Sequence, residues 1–135
     1  MSDPSGLAVE WVIIDCLDPD AVCDFWCGLL GVAVKSRRGP YIFLQRPSKG
    51  GASIGLQKVA EPKQGKNRVH VDLLTDDIPA IVRRVEELGG RRVPGYEPGG
   101  FLVMADPEGN EFCVLPPDFD MDQDGNVTYL DGVQL

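Results

Sequence analysis

The chain holds one histidine, His70, and proton chemistry is easiest to write around it. In the run RVHVDLL, residues 68–74, polar and apolar residues alternate, so Arg68, His70 and Asp72 share one face of an expected strand. An imidazole titrates near neutral pH and can act as general base toward an acidic carbon or a hydroxyl. Glu111 is the second candidate for proton transfer. The same parity turns Trp11, Ile13 and Asp15 to the inner face of the first strand. On the last strand Glu111 and Cys113 share one face, and Phe112 and Val114 the other. Trp11, Phe43 and Phe101 as an aromatic wall, with Gln57, Arg68, His70, Asp72, Glu111 and Cys113 converging on it, have the composition of a small-molecule pocket. The competing reading is that Arg68, Asp72 and Glu111 are internal salt links lining a sheet.

The elements that must position these residues come in duplicate. Trp11, Asp18 and Gly31 recur as His70, Asp77 and Gly90, each 59 residues further on. A repeated unit of this kind buries its apolar face by packing against its neighbour, which puts the expected ligand between two curved sheets. In the first half, residues 8–16 read as a strand. Asp18 then offers an N-cap and Pro19 a first helical residue. Val22, Phe25, Trp26, Leu29 and Leu30 form a helical stripe closed by Gly31. Short strands are expected at 32–36, 41–45 and 52–59. After a polar linker at 60–67, the second half restarts with a strand at 68–74, whose Val69, Val71 and Leu73 should pack on the helix. Asp76 and Asp77 cap that helix, with the stripe Ile78, Ile81, Val82, Val85 and Leu88. Strands at 91–93, 101–105 and 110–115 follow.

Bulk properties exclude several classes. A chain of 135 residues suits one domain, 7–116, made of modules 7–59 and 68–116. The net charge of −8 argues against nucleic acid and against anionic membranes. No apolar run reaches the length of a membrane span, and no signal peptide is visible. The four cysteines fit no zinc-ribbon or redox spacing, so buried reduced thiols and a cytoplasmic location are expected.

The tail, 117–135, is acidic. Asp120, Asp122, Asp124, Gly125, Asn126, Thr128 and Asp131 fall at calcium-loop positions, but Asp131 stands where such loops carry glutamate, and Pro116 and Pro117 crowd the approach. A solvated acidic tail is the expectation, and a weak cation loop the alternative.

The paired βαβββ order, with FWCGLLG at 25–31, GKNRVHVDL at 65–73, ELGGRRV at 87–93 and DPEGNEFCVL at 106–115, resembles the glyoxalase/bleomycin resistance/dioxygenase (vicinal oxygen chelate) superfamily. The resemblance implies an α+β fold: two tandem βαβββ modules forming a cupped mixed β-sheet with helices packed outside. It also implies a homodimer. Metal-using members resembling this chain place ligands at positions that correspond here to Trp11, Gln57, His70 and Cys113. Indole cannot ligate a metal, and a cysteine is atypical for hard ions. Cys113 and His70 with Glu111 as third ligand would be a zinc alternative. The expectation is therefore a binder of a small, partly apolar or aromatic molecule, with no metal and no cofactor. A metal- or His-dependent lyase, isomerase or dioxygenase, with His70 and Glu111 catalytic, is the alternative.

Overall fold

Strand β1 (Trp11–Cys16) lies parallel to β4 (Ser53–Lys58), with Trp11 opposite Ser53 and Cys16 opposite Lys58. This pairing fixes where the first strand begins. Its composition suggested a start at residue 8, but β4 offers no partner before Ser53. A parallel pair needs a crossover, which helix α1 (Pro19–Leu30) provides. Asp18 caps it by accepting from the Ala21 backbone N–H at 3.4 Å. Gly31 ends it at φ 67°, a left-handed conformation open to glycine at little steric cost.

Strands β2 (Val34–Arg38) and β3 (Tyr41–Leu44) complete a four-stranded mixed sheet of order β1-β4-β3-β2. Ile42, Leu44, Ile54 and Leu56 project from alternate positions of β3 and β4 and are buried, with α1 packed on those strands. From α1 come Val22, Cys23, Phe25, Trp26 and Leu29, also buried, and the Phe25 and Trp26 rings meet edge to face at 5.3 Å. Each large apolar side chain buried here contributes about 1.5–3 kcal/mol.

The second half repeats the plan. Strand β5 (Asp72–Leu74), helix α2 (Ile78–Glu87), β6 (Arg91–Arg92), β7 (Leu102–Ala105) and β8 (Glu111–Leu115) give a sheet of order β5-β8-β7-β6, again with its outer pair parallel. Asp77, rather than Asp76, caps α2 by accepting from the Ala80 N–H at 3.1 Å. The chain is α+β, two four-stranded mixed sheets each carrying one helix, as the resemblance implied.

The structure, a computed structural model, describes residues 5–95, 102–124 and 127–129 and divides into two units, Met1–Pro62 and Lys63–Leu135. The boundary falls inside the expected linker, whose later residues work for the second unit. Two expectations there need correction. The strand expected at 68–74 begins only at Asp72, because β8 supplies ladder partners only for Asp72–Leu74. Val69, expected to pack on the helix, is 77% exposed, since no ladder enforces its parity. Among the described residues no helix is long and apolar enough to cross a membrane. All four cysteines are free thiols, three of them buried.

The acidic tail forms a hairpin, β9 (Phe119–Met121) antiparallel to β10 (Val127–Tyr129). Asp120 and Thr128, positions 1 and 9 of the calcium pattern, face each other across this ladder instead of following one another round a loop. Gly125, Asn126 and Asp131 lie outside the described residues.

The DPEGN motif explains the β7–β8 turn. Asp106 is 1% exposed; its carboxylate accepts from the Glu108 N–H at 3.0 Å, from the Asn110 N–H at 3.0 Å and from Asn110 Nδ2. Removing a buried charged acceptor strands all these donors. Asp106→Ala should therefore destabilise the protein by about 2–4 kcal/mol, read by urea titration; Asp106→Asn should cost less, because it keeps one acceptor oxygen.

Candidate functional site

In the first unit, one sheet face carries α1 and the opposite face is lined by a row of rings. Trp11 and Phe43 lie with centroids 4.7 Å apart, and Tyr41 stacks on Phe43 at 5.5 Å and 10°. Trp11 is on β1 and Phe43 on β3, with β4 between them. On β4, Ser53 pairs with Trp11, and Gly55 lies between Ile13 and Phe43. A Cβ there would lie 2.6 Å from Ile13 Cδ1 and 3.3 Å from Phe43 Cδ1. Absence of a side chain at Gly55 lets the flanking strands close their side chains over it.

Strand β2 adds charge to this face through a bulge. Val34 pairs with Leu44 and Ser36 with Phe43, so Lys35 is an extra residue. From there on the parity is reset. Arg37 falls opposite buried Ile42 and reaches Asp20 of α1 at 2.8 Å, while Arg38 falls opposite Tyr41 on the ring-lined face. Lys35 Nζ sits 5.7 Å from the Trp11 ring centroid, within cation–π range. Trp11, Lys35, Ser36, Arg38 and Phe43 together line a pocket of 270 Å³. Sequence reasoning found Trp11 and Phe43 and missed Lys35, Ser36, Arg38 and Tyr41. The only signal was the run KSRR, which fits no alternation and so hints at an irregular strand.

In the second unit, His70, Asp72 and Cys113 bring ligand-type atoms within 4.8 Å of one another, with His70 Nε2 3.3 Å from Asp72 Oδ1. Asp72 pairs with Cys113 in the parallel ladder, and the Cys113 N–H donates to the Val71 carbonyl at 3.0 Å, which fixes the approach. Burial, then the charge and hydrogen bonding of Asp72, push the Cys113 thiol up to about 11, so it is protonated at neutral pH. His70 and Asp72 remain exposed.

Glu111, the expected third zinc ligand, stands apart from this cluster. It is two residues from Cys113 along β8, about 7 Å. Lys63 Nζ binds its carboxylate at 2.9 Å and the Asn67 N–H donates to it at 3.1 Å. Burial alone would raise the Glu111 carboxyl, but these partners together hold it below the ordinary glutamate value. Arg68 is exposed and enters no ion pair among the described residues, so the salt link on this face is Lys63–Glu111 rather than one with Arg68. Phe101 lies outside the described residues.

The four positions at which the resemblance implies metal ligands do not fit a cation. Trp11 has no lone pair to give and lies under an ammonium group. The register makes Gly55, not Gln57, the counterpart of Cys113: Ile13 pairs with Gly55 as Asp72 pairs with Cys113. Gln57 is on the ring-lined face but four residues beyond the partner of Trp11, about 13 Å along β4.

With this geometry in place, comparison with known proteins identifies the family. The model for the Glyoxalase-like domain matches residues 11–115, and the chain belongs to that family. Solved structures with the same fold include a glyoxalase-related enzyme from Fulvimarina pelagi, 20% identical at a TM-score of 0.63 over 90% of this chain and 97% of that one. A glyoxalase/bleomycin resistance protein/dioxygenase family enzyme from Burkholderia phytofirmans PsJN is 16% identical, TM-score 0.60, covering 80% and 97%. The fosfomycin resistance protein FosX of Listeria monocytogenes, complexed with Mn(II), is 13% identical, TM-score 0.63, covering 81% and 88%. No curated protein matches the sequence.

The Glu111 arrangement has a pH consequence. A carboxyl whose folded pKa is depressed adds stability that is complete above its unfolded value and is lost as pH falls through the folded one. Stability should therefore drop below about pH 4.3. Glu111→Gln should flatten that part of the pH profile and cost about 1–2 kcal/mol at pH 7, measured by urea titration at each pH. An unchanged acid limb in the variant would show that Lys63 and Asn67 do not stabilise the ionised form.

Proposed function

We propose that this chain binds a small, partly aromatic molecule on the ring-lined face of its first sheet, without a catalytic metal. The observation that carries this is the row Trp11–Phe43–Tyr41 beside a pocket of 270 Å³. Half-buried rings on a sheet face offer stacking area at little conformational cost, and polar groups at the rim orient what stacks. The unsuitable metal positions support the same reading. So does the net charge of −8, which favours a small-molecule partner over nucleic acid or an anionic membrane.

A binder of this kind is stabilised by mass action, by about 2.7 kcal/mol at a hundredfold excess over Kd. A panel of one- and two-ring aromatic compounds should include members that raise the melting temperature of the wild-type chain. Trp11→Ala should remove that increase while retaining a cooperative transition. If no aromatic compound moves the melting temperature, the proposal fails.

His70, Asp72 and Cys113 favour a second reading, an enzyme of lyase, isomerase or dioxygenase type using His70 as base or a divalent metal. Protein purified without chelator should contain well under one equivalent of divalent cation, unchanged in His70→Ala. A full equivalent that disappears in that variant would replace the first reading with the second. Cobalt titration adds a direct signature, because a Cys113 thiolate–cobalt bond absorbs in the near ultraviolet, and its pH dependence would follow the release of the thiol proton.

A further inference from the structure

The geometry points to a planar anion, an aromatic ring bearing a carboxylate or similar acidic group, as the chemical class that the first unit's pocket takes. This inference rests on the reading of that face as the ligand site and adds the charge of the ligand to it.

The argument starts from the bulge. In a regular strand β2, alternation would put Ser36 and Arg38 on the side of α1 and leave Lys35 and Arg37 facing the rings. The extra residue at Lys35 changes that allocation. Lys35, Ser36 and Arg38 all line the pocket, and Arg37 alone turns to the helix side. Bulges bend and re-aim side chains at functional edges, and this one concentrates two cationic head groups and a hydroxyl beside two rings.

Pairing sharpens the point. Of the three arginines in the first unit two meet acids, Arg37 with Asp20 at 2.8 Å and Arg46 with Glu10 at 2.8 Å. Among the described residues, Lys35 and Arg38 enter no ion pair, although the chain has 21 acidic residues against 13 basic ones. No acidic residue lines this pocket. Lys35 rests against the Trp11 ring, an arrangement that holds an ammonium in place without neutralising it. Arg38 presents a planar fork suited to a carboxylate, and Ser36 adds a donor. The volume of 270 Å³ lies just below the usual range for drug-sized ligands, which suits one or two fused rings and not an extended molecule.

The test compares charged and neutral ligands of matched shape on the full chain. Benzoate and 1-naphthoate are titrated beside benzamide and 1-naphthamide, following the Trp11 indole N–H resonance by NMR at low and at high salt. At low salt the acids should bind about tenfold or more tightly than their amides, the gain expected of one charge-assisted contact, and high salt should erode the difference. Lys35→Met combined with Arg38→Met should bring acids and amides to equal affinity with amide binding retained. Both positions are exposed, so this variant should keep the wild-type melting temperature. Equal binding of acids and amides by the wild type, or a preference that survives the double substitution, overturns the charge assignment while leaving an aromatic site. Absence of binding by all four compounds overturns both readings.

Discussion

The structure depends on a parallel pairing between the first and last strands of each four-stranded sheet. β1 lies on β4 and β5 lies on β8, and no short turn can join strands that run the same way. The helix between them is thereby required, as are the two antiparallel strands that return the chain to its starting edge. The pairing also sets the register, and the register decides which side chains can meet. Ile13 opposite Gly55 and Asp72 opposite Cys113 are the same structural position in the two units.

What occupies that position differs, and the difference separates the two faces chemically. Glycine in the first unit leaves space that Ile13 of β1 and the Phe43 ring of β3 fill, on an apolar face rimmed by cations. Cysteine in the second unit puts a thiol beside a carboxylate and an imidazole, giving a polar cluster with a protonated sulfur at its buried end. One backbone plan therefore supports ring stacking in one unit and donor-atom chemistry in the other. Membership of the Glyoxalase-like domain family fixes the plan and leaves these choices to single residues.

Polar groups that look functional in a one-dimensional reading divide on the same basis. Asp106 and Asn110 belong to a turn, where the carboxylate is consumed by backbone donors. Glu111 is held by Lys63 and Asn67 and serves the junction between the first residues of the second unit and β8. Lys35 and Arg38, by contrast, keep their charge beside open volume.

Local chemistry made much of the fold readable from sequence alone. Asp18 with Pro19, Asp77 with Ala80, the two apolar helical stripes, and Gly31 each act within a turn or two of chain, so their spacing reports them. The repeat at 59 residues announced two like units, and strand parity put Trp11 on the face of β1 opposite the helix. Tertiary structure decided the rest, because the deciding contacts join residues far apart in sequence. The truncation of β5 follows from where β8 offers partners. The closing of Ile13 and Phe43 over β4 follows from a glycine on that intervening strand. The arrival of Arg38 beside the rings follows from one extra residue at Lys35, which no period in the sequence could register because a bulge is defined by the strand opposite it.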